Sequence, residues 1–266
     1  IQTAQAFGQL QTNLSFFRNV YDSFASYRAT LDRLNGFNET IDRARDMVLP
    51  HSRQDGGRLA LQGVTVRRPD GYALLKDLDM EVIPERPVLV RGPSGAGKTT
   101  LLRMIAGIWP YGSGEIIRPE SASLFLAQKP YLPLGTLREA LHYPAPVDQV
   151  PPGQDEAILD LVHLGHLHDK LDVQDDWSRI LSLGEQQRLG FGRLLIARPD
   201  AAFLDEATSA MDEGLEDAMY RLLREQLPAT RIVSVGHRST LRRHHGAELV
   251  LQGEGGGWRL SPIAAS

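Results

Sequence analysis

The chain has 266 residues, 42% of them hydrophobic, and a formal net charge of −4. That size and composition suit one large domain, or one domain with an appendage, and the acidic balance supplies no basic face, so no nucleic-acid partner is expected. There is no cysteine, which excludes disulfides, thiolate metal sites and cysteine nucleophiles.

No apolar run approaches the roughly 20 residues that a membrane-spanning helix needs, and no signal-peptide pattern opens the chain. The first residue is Ile1, so the sequence reads as a piece of something longer. Up to about residue 47, Phe7, Leu10, Leu14, Phe17, Tyr21, Phe24 and Leu31 recur mostly at alternating gaps of three and four, with Arg28 as an interruption. This near-heptad stripe predicts one or two long helices. Their length favours a stalk that packs on helices outside this sequence over a helix lying on its own domain. Residues 50–57 read as a polar linker.

From Arg58 the apolar period changes to two. Residues 59–66 and 74–82 read as strands, and Pro69, Asp70 and Gly71 between them have turn chemistry, so an antiparallel pair is expected. A short apolar run, 88–90, then leads into Gly92, Pro93, Ser94, Gly95, Ala96, Gly97, Lys98, Thr99 and Thr100. This fits the phosphate-loop pattern G-x-x-x-x-G-K-[ST]. An apolar helix is expected over 101–108. Strand, glycine-rich turn and helix together converge backbone N–H groups on an anion. Lys98 would reach the β- and γ-phosphates, and the Thr99 hydroxyl would hold Mg²⁺. Only four of the 29 basic residues are lysines, so Lys98 has few competitors.

Further strands are expected at 115–117 and at 123–127, the latter ending at Gln128. Residues 130–135 form a proline-rich loop, and 136 to about 177 read as helical with breaks over 144–153. Core strands follow at 201–204, ending at Asp205 and Glu206, and at 231–235, ending at Gly236 and His237. A hairpin over 248–252 and 258–260 closes the chain. Four strand-like runs therefore end in Gly92, Gln128, Asp205–Glu206 and His237. Ligands of open α/β sheets bind outside the carboxyl ends of strands, so one crevice could collect all four groups. There Asp205 would sit at Mg²⁺, Glu206 would orient or deprotonate water, Gln128 would offer its amide to metal or water, and His237 would contact the γ-phosphate. His163, His166 and His168 match no compelling metal pattern and read as surface or core residues. His244 and His245 are expected in a loop.

Leu181, Ser182, Leu183, Gly184, Glu185, Gln186 and Gln187 resemble the ABC signature, usually written LSGGQ, with Leu183 and Glu185 as departures. Ser182 and the amides after it would open a helix, where an anion is stabilised. With the phosphate loop, Gln128 as Q-loop, 201–206 as Walker B, 209–212 as D-loop and His237 as switch histidine, the chain resembles the nucleotide-binding domain of an ABC transporter from about Arg58 to Leu260. Residues 107–114 and 128–138 and the signature variant look like subfamily D, which holds peroxisomal fatty-acyl-CoA transporters, and like its bacterial half-transporter relatives, some of which move vitamin B12 or antimicrobial peptides.

That resemblance implies an α/β P-loop NTPase core of ABC type, with an antiparallel β subdomain, a helical signature subdomain over about 129–190 and an N-terminal helical stalk. Residues 1–55 would be the stalk and linker from a missing transmembrane domain, and 56–266 the ATPase domain. It implies ATP and Mg²⁺ as ligands and hydrolysis that powers transport at the cytoplasmic face of the inner membrane. The partners implied are the chain's own membrane domain and a second copy. Ser182, Leu183, Gly184 and Glu185, with Ser209, Ala210 and Asp212 of the D-loop, would complete the second copy's site. The family places an aromatic on adenine just before the first hairpin turn. Arg68 aligns there, and Tyr72 lies close enough to serve instead. A soluble, non-transport ABC ATPase is the alternative.

Overall fold

The computed structural model describes residues 2–45, 51–120, 122–147, 151–253 and 255–264, with side chains from residue 20 onward except 22, 43–45 and 51. The chain divides into two units, Ile1–Val48 and Leu49–Ser266.

The first unit is a single helix, α1 (Gln2–Arg45). The hydroxyls of Thr30 and Thr40 donate to the carbonyls of Ser26 and Gly36 four residues back, so neither interrupts the helical ladder. Tyr21, Phe24 and Leu31 of the expected stripe are exposed, and Tyr27, Leu34 and Phe37 are exposed as well. The side chains of Phe7, Leu10, Leu14 and Phe17 lie outside the described residues.

The second unit is built on two larger sheets. In the first, β2 (Leu59–Arg67) and β3 (Ala73–Val82) pair antiparallel. On its other side β2 pairs with β5 (Gly112–Arg118), and β5 pairs with β1 (His51–Gln54), the order being β1-β5-β2-β3. Residues 51–54, expected in a linker, are thus a strand. Their side chains alternate no apolar pattern, but the edge of β5 satisfies their backbone, and Arg53 reaches Glu115 at 3.5 Å.

The second sheet has six strands in the order β12-β11-β4-β10-β9-β6. These are β4 (Val88–Arg91), β6 (Ser123–Leu126), β9 (Ala201–Asp205), β10 (Arg231–Val235), β11 (Ala247–Leu251) and β12 (Trp258–Pro262). All pairings are parallel except the closing β11–β12 hairpin. Every residue of β9 is buried, as expected for a parallel strand covered on both faces. Phe203 joins the core shared with the first sheet, and Ala202 and Leu204 join the opposite core. This is the alternation a pleated strand enforces.

Helix α2 (Lys98–Ile105) fills the space between the sheets. Its Leu101, Leu102, Met104 and Ile105 share one core with Leu59, Leu61, Val88 and Phe203. The helix stops at Ile105, three residues short of the expectation. There the Arg118 guanidinium donates to the carbonyls of Ile105 (2.6 Å) and Met104 (2.9 Å), a basic cap at a helix C-terminus. Ile108, beyond the cap, is exposed.

Over the other face lie α3 (Leu137–His142), α4 (Gln154–Leu161), α5 (Trp177–Ile180), α6 (Leu183–Ala197) and α7 (Glu213–Gln226). A two-stranded ladder, β7 (Gly135–Thr136) with β8 (Gln174–Asp175), interrupts the segment expected to be helical. His245 lies in the loop before β11, as expected, while His244 does not. Both are buried, His244 ends a 3₁₀ turn (Ser239–His244), and its ring stacks on Tyr220 at 5.4 Å.

Candidate functional site

The parallel pairing sends the carboxyl ends of β4, β6, β9 and β10 to one edge of the six-stranded sheet. The loop after β4 needs glycine at its first position. Gly92 has φ of 149°, and a Cβ there would meet the Leu251 carbonyl oxygen at 2.5 Å. Gly97, at φ 93°, caps α2 in the left-handed region, where side chains are strained. The α2 N-terminus then begins at Lys98, so backbone N–H groups and a cation face the same hollow.

Lys98 is 7% exposed, and its Nζ donates to the carbonyls of Gly92 (3.0 Å) and Pro93 (2.9 Å). Burial lowers its pKa from the ordinary lysine value, while Glu206 and Asp205 hold it up. Next to it, the Thr99 Oγ1 donates to Asp205 Oδ1 at 2.9 Å. Burial raises the Asp205 pKa, and the Thr99 hydrogen bond acts against that rise.

The two adjacent carboxylates diverge because the backbone turns between them. Glu206 has φ of 51°, uncommon for a residue with a side chain, and its N–H donates to the Val235 carbonyl at 3.1 Å. Held so, its Oε2 accepts from Gln128 Nε2 at 3.1 Å, and its Oε1 lies 3.2 Å from His237 Nε2. Non-glycine strain of this kind clusters at functional sites. One cleft is lined by Arg68, Leu74, Ser94, Gly95, Gly97, Lys98, Thr99, Thr100, Trp109, Glu206 and His237. The structure therefore gathers Gly92, Lys98, Thr99, Gln128, Asp205, Glu206 and His237, which are scattered over 146 positions of sequence.

Ser182, Leu183, Gly184 and Glu185 do not line that cleft. Ser182 caps α6 in a reciprocal box. Its N–H and Oγ donate to Glu185 Oε2 at 2.9 and 2.7 Å, and Glu185 N–H donates to Ser182 Oγ at 3.3 Å. His166 Nε2 contacts the second Glu185 oxygen at 3.0 Å, and the Ser182 and His166 contacts outweigh burial to lower the Glu185 pKa. Ser209 and Ala210 are exposed, and Asp212 caps α7 by accepting from Leu215 N–H at 2.8 Å.

Tyr72 lines an adjoining hollow with Arg68, Pro93, Ser94, Gly95 and Ala96 rather than the cleft that holds Lys98. The Arg68 guanidinium sits 5.1 Å from the Tyr72 ring centre, so the two expected adenine candidates form one cation–π surface. Sequence reasoning missed Trp109, a wall of the main cleft whose Nε1 donates to the Arg67 carbonyl at 2.9 Å. It also missed Gln187, although that residue lies within the signature-like segment. An aromatic two residues past a helix-ending glycine was the only signal for the first, and nothing local signalled the second.

Thr99, Asp205 and Gln128 present oxygen atoms of the kind that suit a hard cation such as Mg²⁺. Lys98, the loop amides and the α2 terminus suit a triphosphate. The residues present thus fit both groups.

A sequence model described as ABC transporter matches residues 75–209. An uncharacterized ABC transporter ATP-binding protein of Haemophilus influenzae is 51% identical over 84% of this chain and 38% of its own length. ABC transporter D family member 2, chloroplastic, of Arabidopsis thaliana is 32% identical over 92% of this chain and 45% of its own length. Among solved structures, that of a bacterial Atm1-family ABC exporter with ATP bound superposes with a TM-score of 0.64 at 23% identity, over 77% of this chain and 38% of that one. The chain spans less than half the length of these curated relatives.

Proposed function

The chain belongs to the ABC transporter family, whose ATP-binding domain hydrolyses ATP, and from that premise we propose that it binds MgATP in the cleft at Lys98 and supplies the energy for transport by a longer half-transporter. The observation that carries the reading is the divergence of two neighbouring carboxylates at one strand end. Asp205 faces Thr99, and Glu206 faces Gln128 and His237.

In this reading the amides of 93–98 bind the phosphates, with Lys98 adding charge-assisted hydrogen bonds. Thr99, Asp205 and Gln128 would hold Mg²⁺, which when bound would supply charge neutralisation on the phosphoryl oxygens. Glu206 accepts a proton from the attacking water. Gln128 and His237, each on one Glu206 oxygen, orient that carboxylate, and His237 would contact the γ-phosphate. Trp109, Arg68 and Tyr72 offer faces for the base.

A second copy completes each site. The separation of 182–185 from the Lys98 cleft supports this, because the helix N-terminus that Ser182 opens lies apart from this chain's own phosphate loop and would face another molecule's phosphate. Ala210 packs beside Gly184, where an added Cβ would meet the Ala210 carbonyl oxygen at 3.1 Å, so the Ser209, Ala210 and Asp212 loop would face the second copy together with 182–185. The membrane domain would precede this chain, and the exposed Tyr131 and Leu134 beside Gln128 offer it an apolar contact. The domain then works at the cytoplasmic face of the membrane, with residues 1–55 as its connector. None of the described helices is long and apolar enough to cross a membrane. The likeness to transporter relatives supports this reading over a soluble ATPase.

The test is Glu206→Gln. ATP affinity by calorimetry should stay near wild type, while phosphate release falls about 100-fold or more. Wild-type turnover in that variant would reject the assignment.

A further inference from the structure

Gln187 lies on α6, five residues beyond Ser182, and is 1% exposed. Its amide touches two separate loops, the one that follows β6 at Gln128 and the one between β9 and α7 at 206–212. Nε2 donates to the Gln128 carbonyl at 2.7 Å and to Ser209 Oγ at 3.0 Å, with a longer contact to the Glu206 carbonyl at 3.4 Å. Oε1 accepts from the Ala210 N–H at 3.0 Å. A primary amide has two N–H bonds and a carbonyl oxygen. The two short contacts use both N–H groups, and the third is shared.

These partners include Gln128 and Glu206, whose side chains meet each other where Glu206 lines the cleft. Gln128 Nε2 and Glu206 Oε2 are 3.1 Å apart through their side chains, while Gln187 contacts both of their backbone carbonyls. We propose that Gln187 is a positioning residue for hydrolysis: it sets the spacing of Gln128 and Glu206, and ties that spacing to the loop at Ser209 and Ala210 and to the helix that Ser182 opens. This rests on the reading of Glu206 as the group that acts on water.

The chemistry demands an amide at this place. A carboxylate would lose both donors and bring negative charge toward Glu206, and an apolar chain would strand a buried donor and acceptors. The fold does not demand it. Leu189, Phe191 and Leu194 of the same helix are fully buried in the core and anchor α6 independently. Because α6 carries Ser182 at its start, a shift of that helix on engaging a second copy reaches Glu206 through one rigid amide.

The experiment compares Gln187→Leu, Gln187→Met and Ser209→Ala with the unaltered chain, and includes Glu206→Gln as a reference. Steady-state ATP hydrolysis, thermal melting, and hydrogen exchange at the Ala210 amide without nucleotide are measured. The Gln187 variants should lose roughly tenfold in kcat with KM within about twofold, as misplacement of a catalytic group predicts. The Ala210 amide should exchange roughly tenfold faster, having lost its acceptor. Ser209→Ala should lower kcat in the same sense, and its effect should shrink in the Gln187→Met background. A folded Gln187 variant with wild-type kcat, or one whose Ala210 exchange is unchanged, overturns the proposal. If neither Gln187 variant folds, Ser209→Ala decides: reduced kcat at unchanged KM sustains the proposal, and wild-type kcat overturns it. If Glu206→Gln itself turns over normally, the underlying reading of the site fails. If Glu206→Gln is inactive while Gln187→Met is not, only the role of Gln187 fails.

Discussion

The Thr99 hydroxyl and the Asp205 carboxylate, 106 positions apart, meet at 2.9 Å and join the phosphate loop to the end of β9. The bond satisfies a carboxylate that is 6% exposed. It also pre-sets the two oxygen donors at a separation close to that in which a small cation is gripped.

Asp205 is a stability liability in the free chain. Its folded pKa lies above the unfolded value, chiefly through burial. Its contribution is therefore fully present below the unfolded carboxylate pKa of about 4, and is lost as pH rises through the raised folded value. Asp205→Asn keeps an acceptor for Thr99 and removes the buried charge. The nucleotide-free variant should melt higher than wild type at pH 7, and the gap should close toward pH 4. A lower melting temperature at pH 7 would contradict the argument.

Lys98→Ala removes the cation that bridges the carbonyls of Gly92 and Pro93. Charge-assisted hydrogen bonds contribute about 1.5–3 kcal/mol each, so ATP affinity should fall about 10- to 100-fold. Titration calorimetry checks this, and an unaltered dissociation constant would remove Lys98 from the phosphate site.

His245 is a buried acid-sensitive point. Its Nε2 contacts Ser234 Oγ at 2.9 Å and its Nδ1 the Leu241 carbonyl at 2.7 Å, and Tyr220, His244 and Arg224 also surround it. Burial first, then His244 and Arg224, pull its pKa down to about 4. The neutral ring's stabilisation is present above the unfolded pKa of about 6.5, and is lost as pH falls through the folded value. Wild type should lose roughly 3 kcal/mol between these limits from this group. His245→Asn, although less stable at pH 7, should show a shallower fall in denaturant midpoint over that range. An unchanged slope would assign the acid sensitivity elsewhere.

Arg91 steadies His237 from the other end of the phosphate loop. It donates to the His237 carbonyl at 3.3 Å and pairs with Glu248 at 3.2 Å, while Arg242 holds the second Glu248 oxygen at 3.2 Å. Arg91→Leu should cut turnover roughly tenfold with little change in ATP affinity. Adding His237→Ala to that variant should cost less than it does alone. Full additivity in phosphate-release rates would separate Arg91 from His237.

Trp177 is 1% exposed in the helical core, with Nε1 donating to the Val173 carbonyl. Trp177→Ala should destabilise by about 3–5 kcal/mol, whereas Trp177→Phe should cost less. Equilibrium denaturation checks the order, and equal losses would show that the indole volume is not what the core uses.

Much of the site was legible because its residues sit at ends of strands, and a strand's end is written locally. The buried run 201–204 and the apolar runs before Gly92, Gln128 and His237 each announce a parallel strand, and topology then delivers their carboxyl ends to one edge. Ser182 as a helix cap was equally local, since its box partner Glu185 is three residues away. The end of α2 was not, because the cap that stops it at Ile105 is Arg118 on another strand. Nor was β1, whose polar residues form a strand only because β5 has an open edge. Trp109 and Gln187 belong with these. Gln187 contacts Gln128, Glu206, Ser209 and Ala210 across separations of 59, 19, 22 and 23 positions. A periodic pattern encodes which face a residue buries, but a side-chain amide finds its partners only after distant backbones have packed within about 3 Å of one another.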